Sequence, residues 1–338
     1  MIRRKLFASM GLVFGAIAIV ASSSVTAFAA TTPATTATGT GNALRVSPVR
    51  NDLEIKPGAS QTIDIYVQNL SNADVKIKPI VNDFVANKDE SGSPSIILDE
   101  NKSAPIRSFK QYVSPLETFT VKPNEQHNVK VTITIPANAD AGGYFGAVRF
   151  TPADSDSGKT LSLSASVGSL VLVRVPGDLR ETANIASLDV RKDNKAGSFF
   201  TSGKDLTGVV RIENTGNVQV QPFGKVIVKK SGKVMGSYEI NDTQPRGNVL
   251  PDSIRRFEFG LDKLGSFGKY TLEANLGYGT KGQLITASST FYIVPVSILI
   301  ITGIVVLLIL FAIFVLPRMI KSYNNRVVQK ATGTKKKK

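Results

Sequence analysis

"SQTIDIYVQNLSNADVKIKPIV", residues 60–81, and "DLTGVVRIENTGNVQVQPFGKVIV", residues 205–228, decide how this chain is read. In the first, Ile63, Ile65 and Val67 recur at every second position. Asn69 closes the run, a short Asn/Ser turn follows, and a second apolar run is interrupted by Pro79. The second stretch repeats this order, with Asn214 closing the first run and Pro222 interrupting the next. Alternation with period two places apolar side chains on one face of a strand, so each segment reads as two half-buried strands joined by a turn. Asn and Gly suit such turns because they tolerate positive φ. Asn69 and Asn214 are therefore assigned structural positions at strand ends.

The same alternation continues outward. "HNVKVTITIP" carries Val129, Val131, Ile133 and Ile135 on one face, and "LSLSASVGSLVLVRVP" carries Leu161, Leu163, Val171, Val173 and Val175. Turn signals recur about every ten residues, and no sustained helical period with caps occurs before Ile293, which points to antiparallel sheets with one buried face. The repeat extends further: "VKVTITIP", "ANADAGG" and "YFGAVRF" match "RRFEFGLD", "KLGSFGK" and "YTLEANLGY" in order. Tyr144 and Tyr270 each open a strand after a Gly-bearing turn. That is the placement of the tyrosine corner of immunoglobulin-like sandwiches, in which the hydroxyl bonds to loop backbone. The glycines of "PANADAGGYFGAVRF", residues 136–150, accordingly read as turn glycines. A ligand-cradling loop would need a nucleophile, a phosphate-binding lysine or a helix start beside them, and none is there. The fold expected is all-β, two tandem immunoglobulin-like β-sandwich domains at 44–176 and 178–292 followed by one transmembrane α-helix.

Both ends of the chain carry targeting signals. Residues 1–29 hold Arg3, Arg4 and Lys5, an apolar run and the small-residue ending Ala27-Phe28-Ala29, which reads as a secretory signal peptide. Residues 30–43 are Thr-rich without apolar periodicity, a flexible segment. Residues 293–316, "IVPVSILIITGIVVLLILFAIFVL", contain no charge, and as a helix about 36 Å long they would cross a hydrocarbon core of about 30 Å. Residues 317–338 hold eight Lys or Arg and no acid, a basic tail placed in the cytoplasm by the positive-inside rule. The expected localisation is a single-pass cell-membrane protein with its N-terminal ectodomain outside.

The formal net charge of +15 does not imply nucleic acid. Three of these charges lie in the signal peptide and eight in the tail, neither with an acidic residue, which leaves +4 for the body. The chain has no Cys, so an exported body must hold by packing alone, and thiol nucleophiles and thiolate metal sites are excluded. His127 is the one histidine and lies at the start of an alternating strand, a surface position. "GYGTKG", residues 277–282, fits a dinucleotide fingerprint, but a strand-like segment rather than a helix follows it, so it reads as a hairpin turn. "DSDSG", residues 154–158, begins like a calcium loop, yet the position that needs a bidentate Glu is Ala165, so it reads as a polar loop; calcium held by scattered loop ligands stays open. Asp89 and Glu90 lie in the polar turn "ANKDESGSPS". No catalytic, cofactor-binding or metal residue is assigned, no cofactor is expected, and the binding residues stay unassigned.

"LRVSPVRNDLEIKPGASQTIDIYVQNLSNADVKIKPIVNDF" followed by "IPANADAGGYFGAVRF" resembles the first domain of WxL-interacting proteins of Gram-positive cell surfaces. The resemblance rests on Val46-Ser47-Pro48, on Lys56-Pro57-Gly58, on the Asn-ended strand and on the Pro…Ala-Gly-x-Tyr-x-Gly corner. It implies a first domain associated with peptidoglycan, a second associated with host ligands, and a surface complex with WxL proteins; lacking Trp, this chain is not the WxL partner itself. The first domain is also similar to pilus-type chaperones. The expected function is a non-catalytic, membrane-anchored surface binding or adhesion protein contacting peptidoglycan or a partner surface protein through sheet edges and loops. The alternative is an exported assembly factor that binds partner chains by strand addition.

Overall fold

The computed structural model describes residues 44–153 and 166–333. The segments read as a signal peptide and a Thr-rich lead-in, "DSDSG" with Leu161, Leu163 and Ala165, and the final lysines lie outside the described residues.

The first sandwich contains β1 (Leu44–Ser47), β2 (Arg50–Glu54), β3 (Ser60–Asn69), β4 (Val75–Ala86), β5 (Pro94–Ile96), β6 (Phe119–Val121), β7 (Gln126–Thr134), β8 (Gly142–Pro152) and β9 (Val167–Val175). One sheet has the order β1-β3-β7; the other runs β2-β9-β8-β4-β5, with β6 also paired to β4. The alternation read from the sequence sets the register. Ile63 faces Val131 and Ile65 faces Val129 across the β3–β7 ladder, and all four are buried. From the facing sheet come Tyr144, opposite Val173, together with Val148, Phe150 and Val171. Each large apolar side chain enclosed in this way contributes about 1.5–3 kcal/mol. The Val46-Ser47-Pro48 opening is where the chain changes sheets: β1 pairs antiparallel with β3, and β2, two residues later, pairs parallel with β9.

β8 departs from simple alternation because both of its faces are covered. Its outer face lies under the segment joining β5 to β6, where Phe109 is fully buried. A Cβ at Gly146 would lie 1.9 Å from Cδ1 of Phe109, so glycine here makes room for that ring.

The second sandwich contains β10 (Ala183–Lys192), β11 (Lys195–Gly197), β12 (Phe199–Phe200), β13 (Leu206–Asn214), β14 (Phe223–Lys230), β15 (Lys233–Ile240), β16 (Ser253–Leu261), β17 (Gly268–Tyr278) and β18 (Gln283–Ile293). Its sheets are β11-β10-β13-β16 and β12-β18-β17-β14-β15. Val210 and Ile212 from one face Val226, Val228, Leu272 and Leu276 from the other. "GYGTKG" forms the β17–β18 connection, with Gly279 and Gly282 at φ 71° and 66°. His127 is exposed on β7 and stacks on Phe119 at 4.3 Å.

The two repeated asparagines occupy matching sites. Asn69 and Asn214 are both fully buried at the ends of β3 and β13. The Asn69 amide donates to the carbonyls of Ala73 at 2.7 Å and Val121 at 2.9 Å, while its oxygen accepts from the Ser71 N–H at 2.9 Å. The Asn214 amide donates to Val218 and Val249 at 2.8 and 2.9 Å, and its oxygen accepts from the Gly216 N–H at 2.9 Å. Each side chain thus satisfies turn backbone that water does not reach. The tyrosines differ in direction. The Tyr144 hydroxyl donates to the Asp140 carbonyl at 3.0 Å, whereas that of Tyr270 accepts from the Gly265 N–H at 2.9 Å. Burial, with the neighbouring Tyr112 hydroxyl, pushes the Tyr144 phenol up to about 12.

The apolar run divides at a point the sequence does not mark. Ile293 ends β18 with its side chain fully buried, and Val294 and Pro295 separate it from a helix that starts at Val296. That helix passes a π-helical turn at Phe311–Val315 and continues to Gly333, so the beginning of the basic tail is helical too. From Val296 to Val328 it is long and apolar enough to cross a membrane.

Two predictions follow from the buried polar groups. Asn214→Ala removes the amide bonds to the Val218 carbonyl and the Gly216 N–H and one of the two bonds to the Val249 carbonyl, which also accepts from the Val220 N–H, and should destabilise the chain by about 2–3 kcal/mol, read by urea denaturation of the detergent-solubilised protein. Because the Tyr144 phenol is raised in the folded state, its contribution is complete below the ordinary tyrosine range near pH 10 and is lost as pH climbs through about 12. The alkaline loss of stability should therefore be shallower in Tyr144→Phe, as followed by thermal melts from pH 8 to 12.

Candidate binding cleft

The segment that covers β8 is held from below by a buried polar pair on β4. Asp83, fully buried, accepts from the backbone N–H groups of Ala104 at 2.8 Å and Lys110 at 2.9 Å. Asn82, also buried, donates to the Ile97 carbonyl at 2.8 Å and accepts from Nε of Arg149 at 2.8 Å. These bonds fix both ends of the excursion and bring Pro105, Ile106 and Arg107 over the end of the sheet.

The β4–β5 connection projects in the same direction. Asp89 caps the Ser91 N–H at 2.9 Å, and Glu90 takes up positive φ at 62°. The Glu90 carboxylate then reaches the second sandwich and forms a two-pronged pair with Arg211 on β13, with Nε at 2.8 Å from Oε2 and Nη2 bonded to Oε1. Its backbone carbonyl accepts from the Arg256 N–H of β16 at 2.8 Å. The hydrogen bonds from Arg211, and its charge, hold the Glu90 carboxyl below the usual glutamate range. Asp89 and Glu90, read from the sequence as an undistinguished polar turn, thus include the clasp between the two sandwiches.

A second clasp uses Asn217. Its carbonyl accepts from the Gly143 N–H at 2.9 Å, its amide donates to Asp178 at 2.8 Å and to Ala141 at 3.3 Å, and its oxygen accepts from the Arg180 N–H at 2.8 Å. This explains two of the glycines in "PANADAGGYFGAVRF". The turn proper ends before them, and Gly142 and Gly143 open β8. A Cβ at Gly142 would lie 2.7 Å from the Asn217 carbonyl, and one at Gly143 would lie 3.0 Å from Oε1 of Gln219. Gly142 admits the second sandwich to the edge of the first, and Gly143 makes room for the Phe145 ring, 2.4 Å from where its Cβ would lie, as well as for Gln219, a different job from the turn the sequence suggests. Arg50 adds a bond to the Arg246 carbonyl at 3.1 Å. On the linker side Glu181 joins Arg174, at 2.8 Å, to Thr280.

Between these clasps lies a cavity of about 590 Å³. The first sandwich contributes Phe84 and Phe145, with ring centroids 5.8 Å apart, and the Pro105–Arg107 rim; the second contributes Glu213 and Leu250–Ile254. Arg107 has positive φ at 55°, and its buried Nε has no hydrogen-bond partner. Among the described residues no carboxylate pairs with it. The cleft therefore presents an aromatic wall, an apolar rim, Arg107 with its unpartnered Nε, and charged residues at Lys88, Glu90, Glu213 and Asp252. Such a surface can take a ligand that combines an apolar or sugar-ring face with an anionic group. None of Tyr144, Tyr270, Asn69 and Asn214 lines this cleft. Among the described residues no group of three or more His, Asp or Glu side chains is placed to hold a metal.

Fold and cleft define a class: a tandem β-sandwich chain with a cleft at the junction, followed by an apolar helix. Residues 51–152, within the first sandwich, match the family described as WxL Interacting Protein, peptidoglycan binding domain. No curated protein matches the chain significantly. Among solved structures, it is similar to the class 5 fimbriae chaperone CfaA, at 15% identity over 75% of this chain and 99% of that one, with a TM-score of 0.35. The E. coli chaperone DraB gives 14% identity over 74% and 96%, with a TM-score of 0.32. The Salmonella enterica SafA pilin in complex with the SafB chaperone gives 17% over 74% and 95%, at 0.31. At these scores no partner is carried over to this chain.

Glu90 has a depressed folded-state value, so the clasp is complete above the ordinary glutamate range and weakens as pH falls through it. Small-angle scattering of the solubilised protein should show the junction loosening below about pH 4, with the Asn217 bonds still joining the two sandwiches. Glu90→Gln should show the same loosening at neutral pH.

Proposed function

We propose that this chain is a non-catalytic, membrane-anchored surface protein whose first sandwich binds peptidoglycan, with the junction cleft as the contact site. The match of residues 51–152 to a peptidoglycan binding domain carries this reading, since that segment supplies Phe84, Phe145 and Arg107 to the cleft. Peptidoglycan is a polymer of sugars bearing short peptides with free carboxylates. Sugar rings pack against aromatic faces, and a carboxylate supplies the partner that Arg107 lacks. A surface protein of the WxL class is the second ligand implied by the family description. The helix from Val296 anchors the chain, the sandwiches lie outside the cell and the basic tail lies inside, in keeping with the positive-inside rule.

The test is cosedimentation of the full-length, detergent-solubilised protein with purified peptidoglycan. Saturable binding is expected, and Arg107→Ala should weaken it about 10-fold, equivalent to about 1.4 kcal/mol. Absence of saturable binding by the unaltered chain removes the wall-binding reading. Binding that is unchanged in Arg107→Ala moves the site away from the cleft.

A further inference from the structure

We infer that the end of the second sandwich where β18 runs into the helix is a lipid-contacting surface, seated in the headgroup layer of the membrane that the helix crosses. The inference rests on the helix being a membrane span. Only Val294 and Pro295 separate the last residue of β18 from the first helical residue. Three residues of fully extended chain, at no more than about 3.6 Å per residue, keep Ile293 within about 11 Å of Val296. The helix is apolar from its first turn, with Val296, Ile298, Leu299 and Ile300 exposed, so hydrocarbon begins there and the end of β18 falls at the headgroups.

The side chains at that end suit such a layer. Phe199 is 73% exposed, although a large aromatic side chain normally seeks cover. It pairs with Tyr292 across the parallel β12–β18 ladder and stacks on that ring at 5.0 Å. Lys269 lies opposite Tyr292 on the other side, so Phe199, Tyr292 and Lys269 form one outward row while Phe200, Phe291 and Tyr270 point into the core. Phe267, 52% exposed, sits just before Gly268, the partner of Ile293, and its carbonyl accepts from Lys230 at 2.6 Å. Aromatic rings at the level of the headgroups, with lysines that reach anionic lipid, are the makeup of an interfacial anchor. Backbone bonds make the seat rigid: the Tyr292 N–H donates to Ser198 at 2.7 Å and the Val294 N–H to Phe200 at 2.8 Å.

The chain contains no Trp, so single-tryptophan reporters need no further substitutions. Phe199→Trp, Phe267→Trp, Leu299→Trp and Leu284→Trp would each be made in the full-length protein. They would be reconstituted in vesicles of phosphatidylcholine and phosphatidylglycerol brominated near the top of the acyl chains. Leu299 reports on the helix; Leu284 is exposed at the far end of β18. Blue-shifted emission quenched by bromine at 199 or 267, with 284 unquenched, supports the seat. Quenching at 299 but at neither 199 nor 267 overturns it and leaves the span intact. Quenching at 284 as well replaces the end-on seat with a sandwich lying on its side. No quenching at 299 removes both span and seat.

Discussion

A bidentate pair between Glu90 and Arg211 holds one side of the junction that makes the two sandwiches one object. A covalent linker alone would leave them free to swing, as domains with small interfaces do. Here a carboxylate held in an uncommon backbone conformation meets a guanidinium on the next sandwich, and the carbonyl of the same residue takes a strand N–H from β16. Charge-assisted bonds in this forked geometry fix angle as well as distance. With Asn217 holding the opposite side, the space between the units becomes a cavity with defined walls rather than a variable gap.

Those walls depend in turn on polar groups hidden in each sandwich. Asp83 and Asn82 sit under the β5–β6 excursion and hold its backbone, and through it the rim that carries Arg107. Asn69 and Asn214 do the same for the turns that follow β3 and β13. Side chains of this kind contribute little net stability, because in the unfolded chain water satisfies the same groups. What they determine is which of several compact loop arrangements is allowed, since every competing arrangement would bury an unpaired amide or carbonyl.

The sheets were legible in the sequence because one-sided burial writes itself into every second residue, as at Ile63, Ile65 and Val67 or Val129, Val131 and Ile133. The duplication was legible for the same reason, through Asn69 with Asn214 and Tyr144 with Tyr270. The cleft was not. Its parts come from the 87–93 turn, the 97–110 excursion and the loop at Asn217, and none of these has a periodicity. Gly142 and Gly143 carried a signal, but a glycine that admits a neighbouring domain looks the same in one dimension as a glycine that makes a turn. Ile293 shows the converse limit: hydropathy alone cannot separate the last buried residue of a strand from the first residue of a lipid-facing helix.

The parallel pairing of β2 with β9 bears on how the first sandwich responds to tension. The chain enters this unit through β1, paired with β3 in the other sheet, passes into β2 and leaves from β9; once tension has reached β2, it meets two strands that lie side by side from Arg50–Leu170 to Glu54–Arg174. A pull transmitted through β1 to β2 and applied at the end of β9 slides one strand along the other and loads all the bonds of that ladder together, whereas an antiparallel hairpin pulled at its open end would unzip one bond at a time. With no cysteine in the chain, resistance to extension comes from this shear geometry rather than from a covalent lock, and a sandwich once opened has no disulfide to mispair on closing.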